Sequence, residues 1–197
     1  MTQPPYDYTK RAGVLPVSWN AFHGLCRALA LGVQPWRPEM IVAVGRGGYY
    51  AGTLLAHMLR VDLAPVYLTR RENDQVVREH PEWIIEPPAA VAGKRVLIVD
   101  EISGSGETVR LVRDKALALG AAEARVAVLY AHSQGLEEPD YIGLISDALI
   151  LNPWDREVLT ENGFAVHPEY REALAQQGLQ PDPSFLIDAP AFTLAKG

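Results

Sequence analysis

Apolar residues along this chain gather into short unbroken runs, and the stretches between them repeat at helical spacing. Ile41–Val44, Val96–Val99 and Arg125–Tyr130 are runs bounded by glycine or charged residues. Runs this short, with no in-out alternation, predict strands buried on both faces. Pro65–Thr69 and Asp147–Leu151 predict two more. Trp19, Phe22, Cys26 and Leu29 recur three and four apart, so the spacing predicts a helix with Ser18 as its cap, Trp19 as a core anchor and Gly32 as its stop. A second helix is predicted from about Tyr49 to Arg60, with Leu55, Met58 and Leu59 inward. A third follows Gly106, with Val109, Val112, Ala116 and Leu119 on one face and Gly120 ending it. Strands alternating with helices predict an α/β fold: a doubly wound, mainly parallel sheet flanked by helices.

The two ends read differently. Residues 1–17, with Pro4, Pro5 and Pro16, predict an irregular arm. Pro168 starts a helix with Tyr170 and Leu174 on one face and Gly178 as stop. Ser184–Leu194 is apolar and broken by prolines, and is expected to pack on this domain or a partner subunit. The expected division is a domain over 1–155 and a helical and irregular extension over 156–197.

Composition narrows the function classes. A chain of 197 residues fits one domain with small additions, and 48% apolar content suffices for a core. No stretch approaches the length of a membrane span. The start, MTQPPYDYTKRAG, has no apolar segment of the kind a secretory signal needs. Cys26 is the single cysteine, which excludes an internal disulfide and multi-cysteine metal sites and fits the cytoplasm. A net charge of −6 without a basic run argues against nucleic-acid binding.

The chemistry concentrates in Arg95–Thr108, RVLIVDEISGSGET. Asp100 and Glu101 follow the apolar run at once, and Ser103, Gly104, Ser105, Gly106, Glu107 and Thr108 then form a glycine-hydroxyl loop leading into a helix. Main-chain N–H groups around small residues at a helix start bind anions. Two carboxylates beside them hold hydroxyls or a divalent cation. The pattern suits a ribose phosphate with a metal. A Walker A loop would need Lys where Glu107 stands, and a Rossmann fingerprint would need Gly or Ala where Val109 stands.

Val96–Thr108 resembles the phosphoribosyl pyrophosphate (PRPP) signature of type I phosphoribosyltransferases. Gly45-Arg46-Gly47-Gly48 resembles the pyrophosphate loop of the same family, in the form found in the xanthine-guanine enzymes, with Gly45 replacing Ser. Asn152-Pro153-Trp154-Asp155 resembles the Pro-Trp-acid close of the xanthine-guanine and hypoxanthine enzymes. Together with the Ser18-Trp19 helix the resemblance spans about residues 18–155. It implies that Asp100 and Glu101 bind the ribose hydroxyls and Mg²⁺, with Arg46 completing the catalytic set. It implies that residues 103–108 hold PRPP by its 5-phosphate, and that Arg46, Gly47, Gly48 and Arg70 hold pyrophosphate. His132, Ile150, Leu151 and Asp155 would then meet the nucleobase. The family also implies a cis peptide next to Arg46, a mobile hood over about 70–94 with an edge strand at Trp83–Ile85, and a homodimer.

Three positions depart from the family pattern. Gly104 stands where six-oxo purine enzymes have the Asp that exchanges a proton with the ring, which leaves Glu107 or His132 as replacements. His132 stands where the xanthine-guanine enzymes have Lys, and Leu149 where they have a stacking Trp. The expected activity is transfer of 5-phosphoribosyl from PRPP to a nucleobase, a purine first, as in purine salvage. The alternatives are a non-catalytic PRPP or nucleotide sensor on the same fold and a metal-dependent nucleotide hydrolase.

Overall fold

The computed structural model describes residues 11–72, 75–76, 78 and 80–180. They form two compact units, one of residues 19–147 and one of residues 11–18 and 148–180. In chain order the elements are β1 (Val14–Pro16), α1 (Trp19–Val33), β2 (Met40–Val44), α2 (Gly48–Leu59), β3 (Asp62–Thr69), β4 (Arg71–Glu72), β5 (Gln75–Val76), β6 (Glu82–Ile85), β7 (Arg95–Ser103), α3 (Glu107–Ala118), β8 (Glu123–Ala131), β9 (Tyr141–Ile145), β10 (Leu149–Leu151), β11 (Glu157–Thr160), β12 (Gly163–Val166) and α4 (Pro168–Gln176).

The larger unit is the predicted α/β layer structure. Its six strands run in the order β6-β3-β2-β7-β8-β9. All neighbours are parallel except β6, which is antiparallel to β3. Parallel neighbours need long crossovers, and α2 and α3 supply two of them. Alternate side chains cover the two faces. Val42, Val44, Ile98, Val126 and Val128 share a core cluster with Val109 and Val112 of α3. On the other face α2 comes so close that a Cβ on Gly52 would lie 2.5 Å from that of Ala43. The chain turns to opposite sides of β2, reaching β3 on one edge and β7 on the other. In doubly wound sheets ligands bind beyond the strand ends at such a reversal.

Several local expectations need correction. Trp19 is 48% exposed and is no core anchor; at the first turn of α1 it leans on Phe22 and Tyr50, with ring centroids 6.0 and 6.5 Å away. α1 continues past Gly32 to Val33. β7 does not stop at Val99 but runs through both acids to Ser103, because β8 continues to pair with it there. β9 has no strong sequence signal: its residues are half-buried or exposed, and Gly143 interrupts it. Within residues 70–94 the expected edge strand at Trp83–Ile85 is present as β6, and β4 pairs with β5. Positions 73, 74, 77 and 79 of the expected hood lie outside the described residues.

The smaller unit is built around β1 and β10, which pair in parallel from Val14 with Leu149 to Pro16 with Leu151. Pro16 therefore ends a strand and does not belong to an irregular arm. β10 joins this pair and not the six-stranded sheet. β11 and β12 form a hairpin where an irregular segment was expected. α4 follows as predicted, and its Tyr170 and Ala173 pack with Leu149 and Leu151. The observed division falls at Ala148, because β10 pairs with β1. Residues 1–10 and the expected apolar tail, residues 184–194, lie outside the described residues.

Candidate phosphosugar site

The ends of the adjacent strands β2 and β7 carry the two loops singled out in the sequence. Pairing of Ala43 with Val99 places Gly45–Gly48 beside Asp100 and Glu101. The contact is close. A Cβ on Gly47 would lie 2.2 Å from the Glu101 carboxyl carbon, and one on Gly48 would lie 2.7 Å from the Val99 carbonyl oxygen and 2.8 Å from the Asp100 Cα. Only hydrogen at these Cα atoms lets the loop lie flat against the acid pair. Tyr49 packs its ring on Gly45 and donates its hydroxyl to the Val66 carbonyl at 2.9 Å. The Gly45–Arg46 peptide is cis, as the resemblance implies.

Asp100 is 7% exposed and Glu101 half-buried. The Glu101 N–H donates to Asp100 Oδ1 at 2.8 Å. Burial nevertheless pushes the Asp100 carboxyl well above the usual carboxylate range, and the adjacent Glu101 charge pushes it further. The pair thus concentrates negative charge that a cation would relieve. Among the described residues no group of three or more His, Cys, Asp or Glu forms a complete metal cage.

Beyond the acids, Gly104 and Ser105 are exposed and Gly106 turns the chain with φ of 83°. The first helical bond of α3 runs from the Arg110 N–H to the Gly106 carbonyl. The amides before it are left without partners inside the helix, as at any helix start, and so suit an anion. Ser105 Oγ lies 3.5 Å from the Glu107 amide nitrogen. The Ser103 hydroxyl is already committed, donating to the Gly135 carbonyl at 2.8 Å.

The segment between β8 and β9 braces this loop, a role the sequence reading missed. A Cβ on Gly135 would lie 2.3 Å from the Ser103 carbonyl oxygen, and one on Gly106 would lie 2.6 Å from Glu138 Cγ. Glu138 is held by Arg113, which also donates to the Glu138 carbonyl at 3.2 Å. The only trace in the sequence is a glycine three residues past His132. Gly135→Ala is expected to displace the Ser103–Thr108 loop, raising KM for a phosphorylated sugar at least tenfold, with a loss of about 1–3 kcal/mol in denaturant unfolding.

The remaining candidates are placed as follows. Arg46 is exposed and, with Tyr49 and Tyr50, lines a cavity of about 1130 Å³ on the outer face of α2. Arg70 is exposed just past β3, and Thr108 is half-buried in the first turn of α3. Glu107 Oε1 lies 2.9 Å from His80 Nδ1, so the expected hood touches the loop. His132 is buried, with Nδ1 2.6 Å from the Ser146 carbonyl oxygen. A carbonyl only accepts, so this nitrogen carries a proton. Ile150, Leu151 and Asp155 belong to the smaller unit. Leu151 is fully buried in its core, while Asp155 stays half-exposed in the turn after β10.

Comparison with known proteins gives concordant results. A family model described as "Phosphoribosyl transferase domain" matches residues 25–160. The chain is 30% identical over 149 residues to the xanthine-guanine phosphoribosyltransferase of Nitratidesulfovibrio vulgaris, covering 74% of this chain and 86% of that one. It is 30% identical over 146 residues to the enzyme of that name from Gluconobacter oxydans, covering 71% and 83%. Among solved structures, the purine phosphoribosyltransferase of Pyrococcus horikoshii superposes with a TM-score of 0.66 at 26% identity, over 75% of this chain and 97% of the other.

Proposed function

The chain belongs to the phosphoribosyl transferase domain family, and from that premise we propose that it transfers 5-phosphoribosyl from PRPP to a purine base in salvage. The observation that carries this reading is the packing of Gly47 and Gly48 directly against Glu101 and Asp100. In this reading that contact sets the loop that would hold pyrophosphate beside the acid pair that would hold the adjoining ribose hydroxyls.

In this reading the bond between the sugar carbon and pyrophosphate breaks, a ring nitrogen of the base bonds to that carbon, and the base loses a proton. Asp100 and Glu101 hold the ribose hydroxyls and stabilise the oxocarbenium-like carbon by their charge. Ser105, Thr108 and the loop amides hold the 5-phosphate. Arg46, Arg70 and the amides of Gly47 and Gly48 hold pyrophosphate. Of the residues expected to meet the base, Ile150 and Leu151 are buried, Leu151 fully in the core of the smaller unit, and are not assigned to it. The acid pair fits Mg²⁺, which takes one or two carboxylates and completes its shell with substrate oxygens. When bound there, Mg²⁺ would spread the charge of the departing pyrophosphate. Among the described residues no helix is long and apolar enough to cross a membrane. A cytoplasmic homodimer belongs to the same proposal, supported by the exposed aromatic pair Trp19 and Tyr50.

The test is pyrophosphate release with PRPP, Mg²⁺ and each common purine and pyrimidine. Base-dependent release supports the proposal. PRPP binding without release selects the sensor, and product without any base selects the hydrolase. Gly104 decides between two kinds of acceptor. Its φ lies outside the left-handed region, and a Cβ there would meet nothing within 4 Å. The missing acid is therefore a chemical choice and not a steric one. Gly104→Asp is expected to fold with stability unchanged within about 0.5 kcal/mol. Its kcat with hypoxanthine or guanine is expected to rise about tenfold or more, as a positioned proton-transfer group provides.

A further inference from the structure

The loop between β2 and α2 departs from the family pattern at its first position, where Gly45 stands in place of Ser. Tyr49 accounts for the departure. A Cβ on Gly45 would lie 2.4 Å from both Cζ and Oη of Tyr49 and 2.8 Å from its Cε2. The Gly45 backbone lies outside the left-handed region, so it is the tyrosine ring that excludes a side chain there. A hydroxyl still stands 2.4 Å from the missing Cβ, but it comes from α2 and not from the loop.

The ring is also tied down. Its hydroxyl donates to the Val66 carbonyl at 2.9 Å, and the Gly45 N–H donates to the same oxygen at 2.8 Å. A carbonyl oxygen has two lone pairs, so both are used. Val66 is fully buried in β3 and pairs with Val44 of β2, which makes the shared acceptor a fixed point of the sheet. The Tyr49 N–H in turn donates to the Arg46 carbonyl at 3.2 Å. Burial, with Tyr67 nearby, holds the Tyr49 hydroxyl above the usual tyrosine range, which keeps it a donor at neutral pH.

We infer that Tyr49 is a positioning residue for pyrophosphate: its ring and hydroxyl set the Gly45–Arg46 segment, and through it the Arg46 side chain and the Gly47 and Gly48 amides, and Gly45 is glycine to admit that ring. The inference rests on the transferase reading and deepens it.

The test is titration calorimetry on the full-length protein with Mg²⁺ and three probes: pyrophosphate, PRPP and inosine 5′-monophosphate. The monophosphate carries the 5-phosphate but no pyrophosphate, so it reports on the rest of the site. In Gly45→Ser the new side chain must push the ring off Val66. Kd for pyrophosphate and PRPP is then expected to rise about tenfold or more, with Kd for the monophosphate within about twofold of wild type. Tyr49→Phe keeps the ring and loses the hydroxyl, and the same two constants should rise about threefold to tenfold. Leucine lacks the ring atoms that meet position 45. Gly45→Ser combined with Tyr49→Leu should therefore bind pyrophosphate more tightly than Gly45→Ser alone. An equal loss for all three probes would show a merely structural role and overturn the inference. So would unchanged pyrophosphate affinity in Tyr49→Phe, or a double variant no better than Gly45→Ser. A wild type that binds the monophosphate but neither pyrophosphate nor PRPP would remove the pyrophosphate assignment of the loop, and this inference with it. Base-dependent release is measured on the wild type in parallel. Its absence removes the transferase reading, whereas the expected affinities still uphold the part given to Tyr49.

Discussion

Asp100→Asn combined with Glu101→Gln is expected to abolish PRPP binding and to make the unliganded protein more stable. The first effect follows from the geometry: the two carboxylates sit at the end of β7 against the glycine loop, where ribose hydroxyls and Mg²⁺ would meet. Charge-assisted hydrogen bonds to two carboxylates are worth about 1.5–3 kcal/mol each, so affinity should fall by at least two orders of magnitude in titration calorimetry. The second effect follows from the charge pair. Burial and the Glu101 charge raise the Asp100 carboxyl, so ionising it works against the folded state. The sign is that of an acid whose folded pKa lies above its unfolded one. Stability falls as pH climbs from the unfolded value through the folded one, and the deficit persists at neutral pH. The amide pair removes that repulsion. Thermal unfolding without ligand should rise by about 2–4 °C for each kcal/mol regained. PRPP with Mg²⁺ should raise the midpoint of the wild type and leave the variant unmoved. A variant that binds PRPP as the wild type does would refute the role of the pair.

Gly47→Ala is expected to cost nearly as much function with little loss of stability. The new methyl group would collide with the Glu101 carboxyl group, which is the far end of a side chain and can swing aside. Once displaced, Glu101 would leave the position proposed for the ribose hydroxyls. We expect kcat/KM for PRPP to drop about 100-fold, with the denaturant midpoint nearly unchanged. Gly48→Ala provides the contrast. Its methyl group would meet the Val99 carbonyl and the Asp100 Cα, which are main-chain atoms of the central strand. That variant should lose stability as well as activity, by about 1–3 kcal/mol. If Gly47→Ala retained full activity, the close packing of loop and acids would not matter to the reaction.

The residues proposed for the donor half of the site stand out in the sequence, because they form contiguous motifs. Asp100, Glu101 and Ser103–Thr108 lie in one stretch, Gly45–Gly48 in another, and parallel pairing of apolar runs brings the two together. The strands β2, β7 and β8 were visible for the same reason, being buried on both faces and uniformly apolar. What escaped notice depends on contacts distant in sequence. Gly135 braces Ser103 across 32 positions and signals nothing by itself. β9 is an edge strand with half-exposed residues, so its pattern is weak. Val14–Pro16 became a strand only because β10 lies alongside it. Trp19 was misread because helical spacing shows which side chains share a face but not how far the first turn overhangs the core.

The reversal of strand order between β2 and β7 has a consequence for how such a protein can change. The two loops proposed to grip the donor hang from hydrogen-bonded neighbours, so the gap between them starts from one sheet spacing, about 4.8 Å, and is kept by Gly47 and Gly48. Substitutions around the acceptor leave that gauge untouched. A lineage could therefore exchange one acceptor for another, or give up turnover and keep only the ability to sense the donor, without rebuilding its hold on the sugar.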